Sequence, residues 1–140
     1  MYQNTTGAKN TGVGYNVMGV NTTGSMNSAF GFAALDSLTT GNQNTALGYR
    51  AATAVTTGGA NVGIGNSALE AVTTGEGNVA VGYKALQTNT ADNNVAVGKV
   101  ALNKCTTGAR NAAVGQSALY ETTTGNDNIA VGDSAIRQCT

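Results

Sequence analysis

Asn78-Val79-Ala80-Val81-Gly82-Tyr83-Lys84-Ala85-Leu86-Gln87-Thr88-Asn89-Thr90 is one copy of a unit that fills the chain. Its asparagine recurs as Asn10, Asn27, Asn44, Asn61, Asn78, Asn94, Asn111 and Asn128. Six of the seven intervals are seventeen residues, and the step from Asn78 to Asn94 is sixteen. Each asparagine is followed four residues later by a glycine, Gly82 in this copy. A short fixed period means one small unit stacked many times, and it overrides any reading as an ordinary globular domain. Seventeen residues are too few for a helical-pair repeat and fit one coil of a β-solenoid. The sequence therefore predicts an all-β, parallel β-solenoid of eight coils over residues 1–140, a single repeat domain with like side chains stacked in files.

The files have distinct characters. That of Val81 holds Val13, Phe30, Leu47, Ile64, Val97, Val114 and Val131, and that of Leu86 holds Met18, Leu35, Ala52, Leu69, Leu102, Leu119 and Ile136. Both are apolar throughout and are assigned to the core. The Ala80 file contains only Ala or Gly: Gly12, Ala29, Ala46, Gly63, Ala96, Ala113 and Ala130. Side chains alternate along a strand, so Val79 and Val81 share one face and Ala80 and Gly82 the other. A wet outer face would carry polar residues. Here the second face is uniformly small, which suits a close backbone from another chain; Ala29, Ala46, Ala80, Ala96, Ala113 and Ala130 are the candidate interchain contacts, with the Ala85 file beside them. The competing reading is that small residues fit a tight turn within one chain.

Thr-Thr-Gly links the units at 5–7, 22–24, 39–41, 56–58, 73–75, 106–108 and 123–125. The exception, Thr90-Ala91-Asp92, marks where the missing residue falls, in a connection where deletions are tolerated. The glycine suggests a left-handed turn position. The first threonine, present again as Thr140, predicts a file whose hydroxyls bond the neighbouring coil. The asparagine file predicts a side-chain amide ladder. The chain enters and leaves the repeat without an atypical capping unit, as expected of an excerpt of a longer shaft or a subunit stacking head to tail.

Chemistry has little to work with. There is no His, and the seven acids scatter over several files, so no catalytic constellation and no cofactor or metal site is expected. Seven basic residues balance the seven acids, which leaves no basic stripe for nucleic acid. No apolar run reaches the roughly 18 residues of a membrane span. Cys105 and Cys139 share a file two coils apart, about 9.6 Å at strand spacing, beyond the ~7 Å reach of a disulfide. Two readings stay open for them: apolar filler beside Leu38, Val55 and Val72, or a bond to a symmetry-related chain.

The unit Asn78-Val79-Ala80-Val81-Gly82-Tyr83-Lys84-Ala85-Leu86 and copies such as Asn128-Ile129-Ala130-Val131-Gly132-Asp133-Ser134-Ala135-Ile136 resemble the head repeats of trimeric autotransporter adhesins. Those share a Ser/Asn-x-Ala-hydrophobic-Gly-x-x-Ala core. With Thr-Thr-Gly spacers the unit is also similar to stretches of phage tail fibres and related surface fibres. The resemblance implies a left-handed parallel β-roll, three chains wide, serving as a stiff binding head outside a cell or on a virion. It also implies partners in copies of itself and in a host-surface glycan or matrix protein. Coils in that family are somewhat shorter, so Thr-Thr-Gly is expected to protrude as a loop. The expected function is a structural rod for attachment or display, not an enzyme. The alternatives are a head-to-tail filament and, from the threonine files, an ice-binding solenoid.

Overall fold

The computed structural model describes residues 3–137; Cys139 and Thr140 lie outside them. Eight three-residue strands follow the chain at coil spacing: β1 (Thr11–Val13), β2 (Ser28–Phe30), β3 (Thr45–Leu47), β4 (Val62–Ile64), β5 (Val79–Val81), β6 (Val95–Val97), β7 (Ala112–Val114) and β8 (Ile129–Val131). They form one parallel sheet in the order β1 to β8. The register is one repeat per strand, so Val79 faces Val95, Ala80 faces Ala96 and Val81 faces Val97. Even the short sixteen-residue step keeps this alignment.

Bonding between coils continues round the rest of each turn. After the strand, the Leu35 N–H donates to Ala51 O (3.1 Å) and the Ser37 N–H to Thr53 O (3.1 Å). On the next side the N–H groups of Thr39, Thr40 and Gly41 converge on Thr56 O at 2.9, 3.2 and 3.3 Å. Before the next strand the Gln43 N–H returns to Ser25 O (3.0 Å) in the coil below. Backbone polar groups are thus matched between coils on several walls, as a thin interior demands.

The interior is filled from three directions. Ala29, Ala46, Ala80, Ala96 and Ala113 point inward from the sheet and are fully buried. Opposite them lie the Ala85 and Leu86 files, with Met18, Leu35, Leu69, Leu86, Leu102 and Leu119 fully buried. Leu38, Val55, Val72 and Cys105 close the third side. A Cβ added to Gly63 would meet Ala68 O and Leu69 Cδ1, both at 3.4 Å, so the sheet rests directly on the turn that follows it. A methyl group is about all that fits between them.

This inverts the expectation for the strand. The Val81 file does not line the core: Val13 is 57 % exposed, Leu47 49 % and Val131 72 %, with Phe30, Val97 and Val114 exposed and Ile64 and Val81 half-buried. The Ala80 file, expected between chains, packs inside its own coil. The Leu86 file is core as expected, except that Ile136 in the last coil is exposed.

The turns also differ from expectation. The Thr-Thr-Gly glycines do not take positive φ. They are small because a Cβ on Gly24 would lie 2.5 Å from Gly41 O of the next coil. Gly24, Gly41, Gly58, Gly75 and Gly108 are buried, so Thr-Thr-Gly is part of the coil wall and not a protruding loop. Left-handed conformations fall instead on the Lys84 file (Lys84 φ 53°), the Leu86 file (Leu86 φ 48°) and the residue before each asparagine (Gln43 φ 61°). Nothing in those residue types announces it, since glycine holds only one of these positions, Gly77. In the Gly82 file the demand is legible: φ is +134° and a Cβ would stand 2.6 Å from Gly98 O.

Candidate interaction surface

The asparagine ladder is present and is the polar spine of the rod. Asn44 Oδ1 accepts from the Asn61 N–H (3.1 Å) and from Asn61 Nδ2 (3.1 Å). Asn61 Nδ2 also donates to Gly75 O (2.8 Å), the glycine of the following Thr-Thr-Gly. Equivalent bonds run from Asn10 through Asn27, and from Asn94 through Asn111 to Asn128. Asn27, Asn44, Asn61, Asn78, Asn94 and Asn111 are buried, and each carboxamide is consumed within the chain. The threonine file behaves as expected: the hydroxyls of Thr22, Thr39 and Thr56 donate to Thr39 O (3.1 Å), Thr56 O (3.1 Å) and Thr73 O (3.2 Å).

The short coil is repaired from inside. Thr90-Ala91 does the work of Thr-Thr-Gly, so Asn78 Nδ2 donates to Ala91 O (2.9 Å). Asn89 occupies the file that holds Val72 in the coil before. Its Oδ1 accepts from the Ala91 N–H (2.6 Å), and its Nδ2 donates to Gly108 O (2.9 Å) and lies 3.0 Å from Cys105 Sγ. Cys105 is fully buried, and burial pushes its thiol pKa up. Its sulfur faces this chain's own interior, which removes it from any bond to a neighbouring copy; Cys139 lies outside the described residues.

With ladder and core accounted for, the outward face of the sheet remains. Two files lie on it: that of Val79 (Thr11, Ser28, Thr45, Val62, Val79, Val95, Ala112, Ile129) and that of Val81. Alternation puts both on one side, with Ala80 between them; past Gly82, at φ 134°, the chain turns, and the file of Tyr83 (Tyr15, Phe32, Tyr49, Asn66, Tyr83, Lys99, Gln116, Asp133) follows the strand's end. Tyr15, Phe32 and Tyr49 stack ring on ring, with centroids 5.3 Å apart and planes 13° from parallel. Neither strand file carries a charge, and the Tyr83 file has only Lys99 and Asp133. Isolated exposed apolar residues are ordinary, but a continuous apolar strip along a whole sheet marks an interaction surface. The aromatic spacing of seventeen residues is the signal in the sequence that points here.

Ion pairs lie elsewhere on the surface: Arg50–Glu70 (3.1 Å), Lys104–Glu121 (3.4 Å) and the two-pronged Arg110–Asp127 (2.6 and 2.8 Å). Among the described residues no three His, Cys, Asp or Glu side chains are grouped to hold a metal. Among the same residues no helix is long and apolar enough to cross a membrane. Comparison with protein-family models, curated proteins and solved structures returns no match.

Proposed function

We propose that the chain is a stiff structural rod, a fibre-shaft or adhesin-head segment that works outside a cell or on a virion and associates with copies of itself. The observation that carries this reading is a pairing of two features. Each coil is bonded to the next on several walls, while the Val81 file on the outward sheet face stays apolar along the whole length. The first property gives a body suited to bearing load and resisting proteases; the second gives it a surface for its own kind. At strand spacing the eight coils rise about 38 Å. The resemblance to adhesin heads and tail fibres supports the same reading and adds the expectation of a trimer, now with the Val81 file toward the partners in place of the Ala80 file.

Ice binding has less support. The leading threonine hydroxyls are engaged by backbone carbonyls, which leaves a single exposed file (Thr23, Thr40, Thr57, Thr74, Thr107, Thr124), interrupted at Ala91.

Sedimentation equilibrium with negative-stain electron microscopy tests the proposal. A discrete small oligomer seen as a short rod is the expected result. A chain that stays monomeric at every accessible concentration would defeat it. Attachment is tested by binding of the purified oligomer to immobilised glycans and matrix proteins.

A further inference from the structure

The sixteen-residue coil changes one wall of the rod. Counted from its asparagine, the fourth coil runs over 61–77 and the short fifth coil over 78–93. Below this level the Thr-Thr-Gly wall is bonded upward at every step; the Thr56 and Gly58 N–H groups still reach Thr73 O at 2.9 and 3.4 Å. Above it, the Thr106 and Thr107 N–H groups reach Thr123 O at 2.9 and 3.1 Å. Between the fourth and fifth coils this bonding stops. Among the described residues, nothing accepts from the N–H groups of Thr73, Thr74 or Gly75. The Thr73 hydroxyl has no carbonyl above it either, whereas Thr56 Oγ1 donates to Thr73 O (3.2 Å) and Thr90 Oγ1 to Thr106 O (3.0 Å).

The short coil turns its polar groups upward instead. Thr88 Oγ1 donates to Asn103 O (2.8 Å), Asn89 Nδ2 to Gly108 O (2.9 Å), and the Thr90 N–H to Thr106 O (2.8 Å). All three acceptors belong to the sixth coil. Beneath Asn89 lies the apolar Val72, which offers it no partner. The asparagine ladder thins at the same level. Asn61 gives both its N–H and its Nδ2 to Asn44 Oδ1, whereas Asn78 gives Asn61 Oδ1 only its N–H (3.0 Å). The other walls hold: Ala71 N–H still meets Gln87 O (2.8 Å), Asn93 N–H meets Glu76 O (2.9 Å), and β4 pairs with β5 in register. The coils also still touch, since a Cβ on Gly75 would lie 2.6 Å from Ala91 O. The defect is therefore one of bonding, confined to a single corner.

In a solenoid each coil touches only its neighbours, so stability is a sum of coil terms and interface terms, and the weakest interface parts first. Gly75 is buried, and a buried N–H without an acceptor weakens the interface that holds it. We infer that this corner is a built-in opening point: the rod opens first between its fourth and fifth coils, at Thr73-Thr74-Gly75 under Thr90-Ala91. Opening there admits water to Val72 and Asn89, both buried at rest, while the sheet stays paired. The level is set by the one deleted residue and does not depend on self-association.

Hydrogen exchange of the unsubstituted chain is the first test. Ala71 and Asn93 are bonded amides that border the corner. Their counterparts one interface lower are Ala54, bonded to Glu70 O (3.1 Å), and Gly77, bonded to Gly59 O (3.0 Å). Protection of the first pair should be about tenfold or more below that of the second, because local opening sets exchange. Equal protection would overturn the inference. Thiol access is the second test. Val72→Cys and Val55→Cys are each placed in Cys139→Ser, in a file where Cys105 already shows that cysteine fits, and alkylation is located by peptide mass spectrometry. Val72→Cys should react with iodoacetamide about tenfold or more faster than Val55→Cys. Restoring Thr-Thr-Gly, by a threonine inserted after Thr90 together with Ala91→Gly, should remove the difference. Equal rates at the two positions, or a fast Val72→Cys that the restored wall leaves unchanged, would refute the opening point.

Discussion

Ala80 and Val81 are neighbours in one strand and lead opposite lives. Ala80 is fully buried against the turn of its own coil, whereas Val81 looks outward from the sheet. The larger, greasier residue is the one outside. Hydrophobicity alone would place it within; the width of the coil decides otherwise. The space behind the strand is already taken by Ala85 and Leu86, and only a methyl group fits in front of them. In so narrow a solenoid, size selects the inner file, and the larger apolar residue is left on the outside.

The most forceful way to break this contrast is to exchange sizes. Ala80→Leu adds three carbons where no room exists, and overpacking of this kind costs about 1–3 kcal/mol or more in cores that can relax. This interior can shift little, since each coil is tied to two others, so the variant should fail to fold or should melt far below the wild type by circular dichroism. Val81→Thr, one residue on, should leave the monomer's unfolding free energy within about 0.5 kcal/mol, as surface changes do. If the two variants destabilise alike, the assignment of inside and outside is wrong.

Next in size comes the polar spine. Asn61→Ala strands the Asn78 N–H and Gly75 O, and takes one donor from Asn44 Oδ1. Each buried group left without a partner costs about 1–3 kcal/mol. Chemical denaturation should show a loss of that order or greater. A change near zero would mean that water replaces the amide and that the ladder is ornamental.

These outcomes bear on what the sequence could reveal. The coil length, strand positions, register, asparagine and threonine ladders and site of the short coil all follow from periodicity, because stacking forces like residues into files. The direction of each file does not follow. Alternation divides Val81 from Ala80 but gives no sign to the division when both sides are apolar. The usual guide, polar residues outside, is silent here because the exposed Val81 file is as apolar as the buried one. The left-handed residues Lys84 and Leu86 were illegible for a different reason: their conformation is imposed by bonds to adjacent coils, not by their own chemistry. The candidate surface was half visible, its aromatic file readable as a period of seventeen but assigned no role.

A smaller effect sharpens the inner side. Burial raises the Cys105 pKa and shields its sulfur, so in Cys139→Ser the native thiol should react with iodoacetamide far more slowly than after unfolding in denaturant. Comparable rates at mildly alkaline pH would place Cys105 on the surface and reopen the bond to a neighbouring copy.

The weakest effect belongs outside. Arg110 and Asp127 form a two-pronged pair that is fully exposed. The hydrogen bond from the guanidinium holds the Asp127 carboxyl below the usual carboxylate range. A lowered folded-state pKa stabilises the fold above the unfolded-state value and loses that contribution as pH falls through the folded one. Any benefit is therefore complete at neutral pH and disappears only in strong acid. Solvent and salt screen such a pair, and holding two mobile side chains opposes it. Asp127→Asn should accordingly leave the neutral-pH melting temperature unchanged and flatten only the acid limb of its pH dependence. A clear drop at neutral pH would show the pair tying the last coils together, which would move part of the rod's cohesion from its interior ladders to its surface.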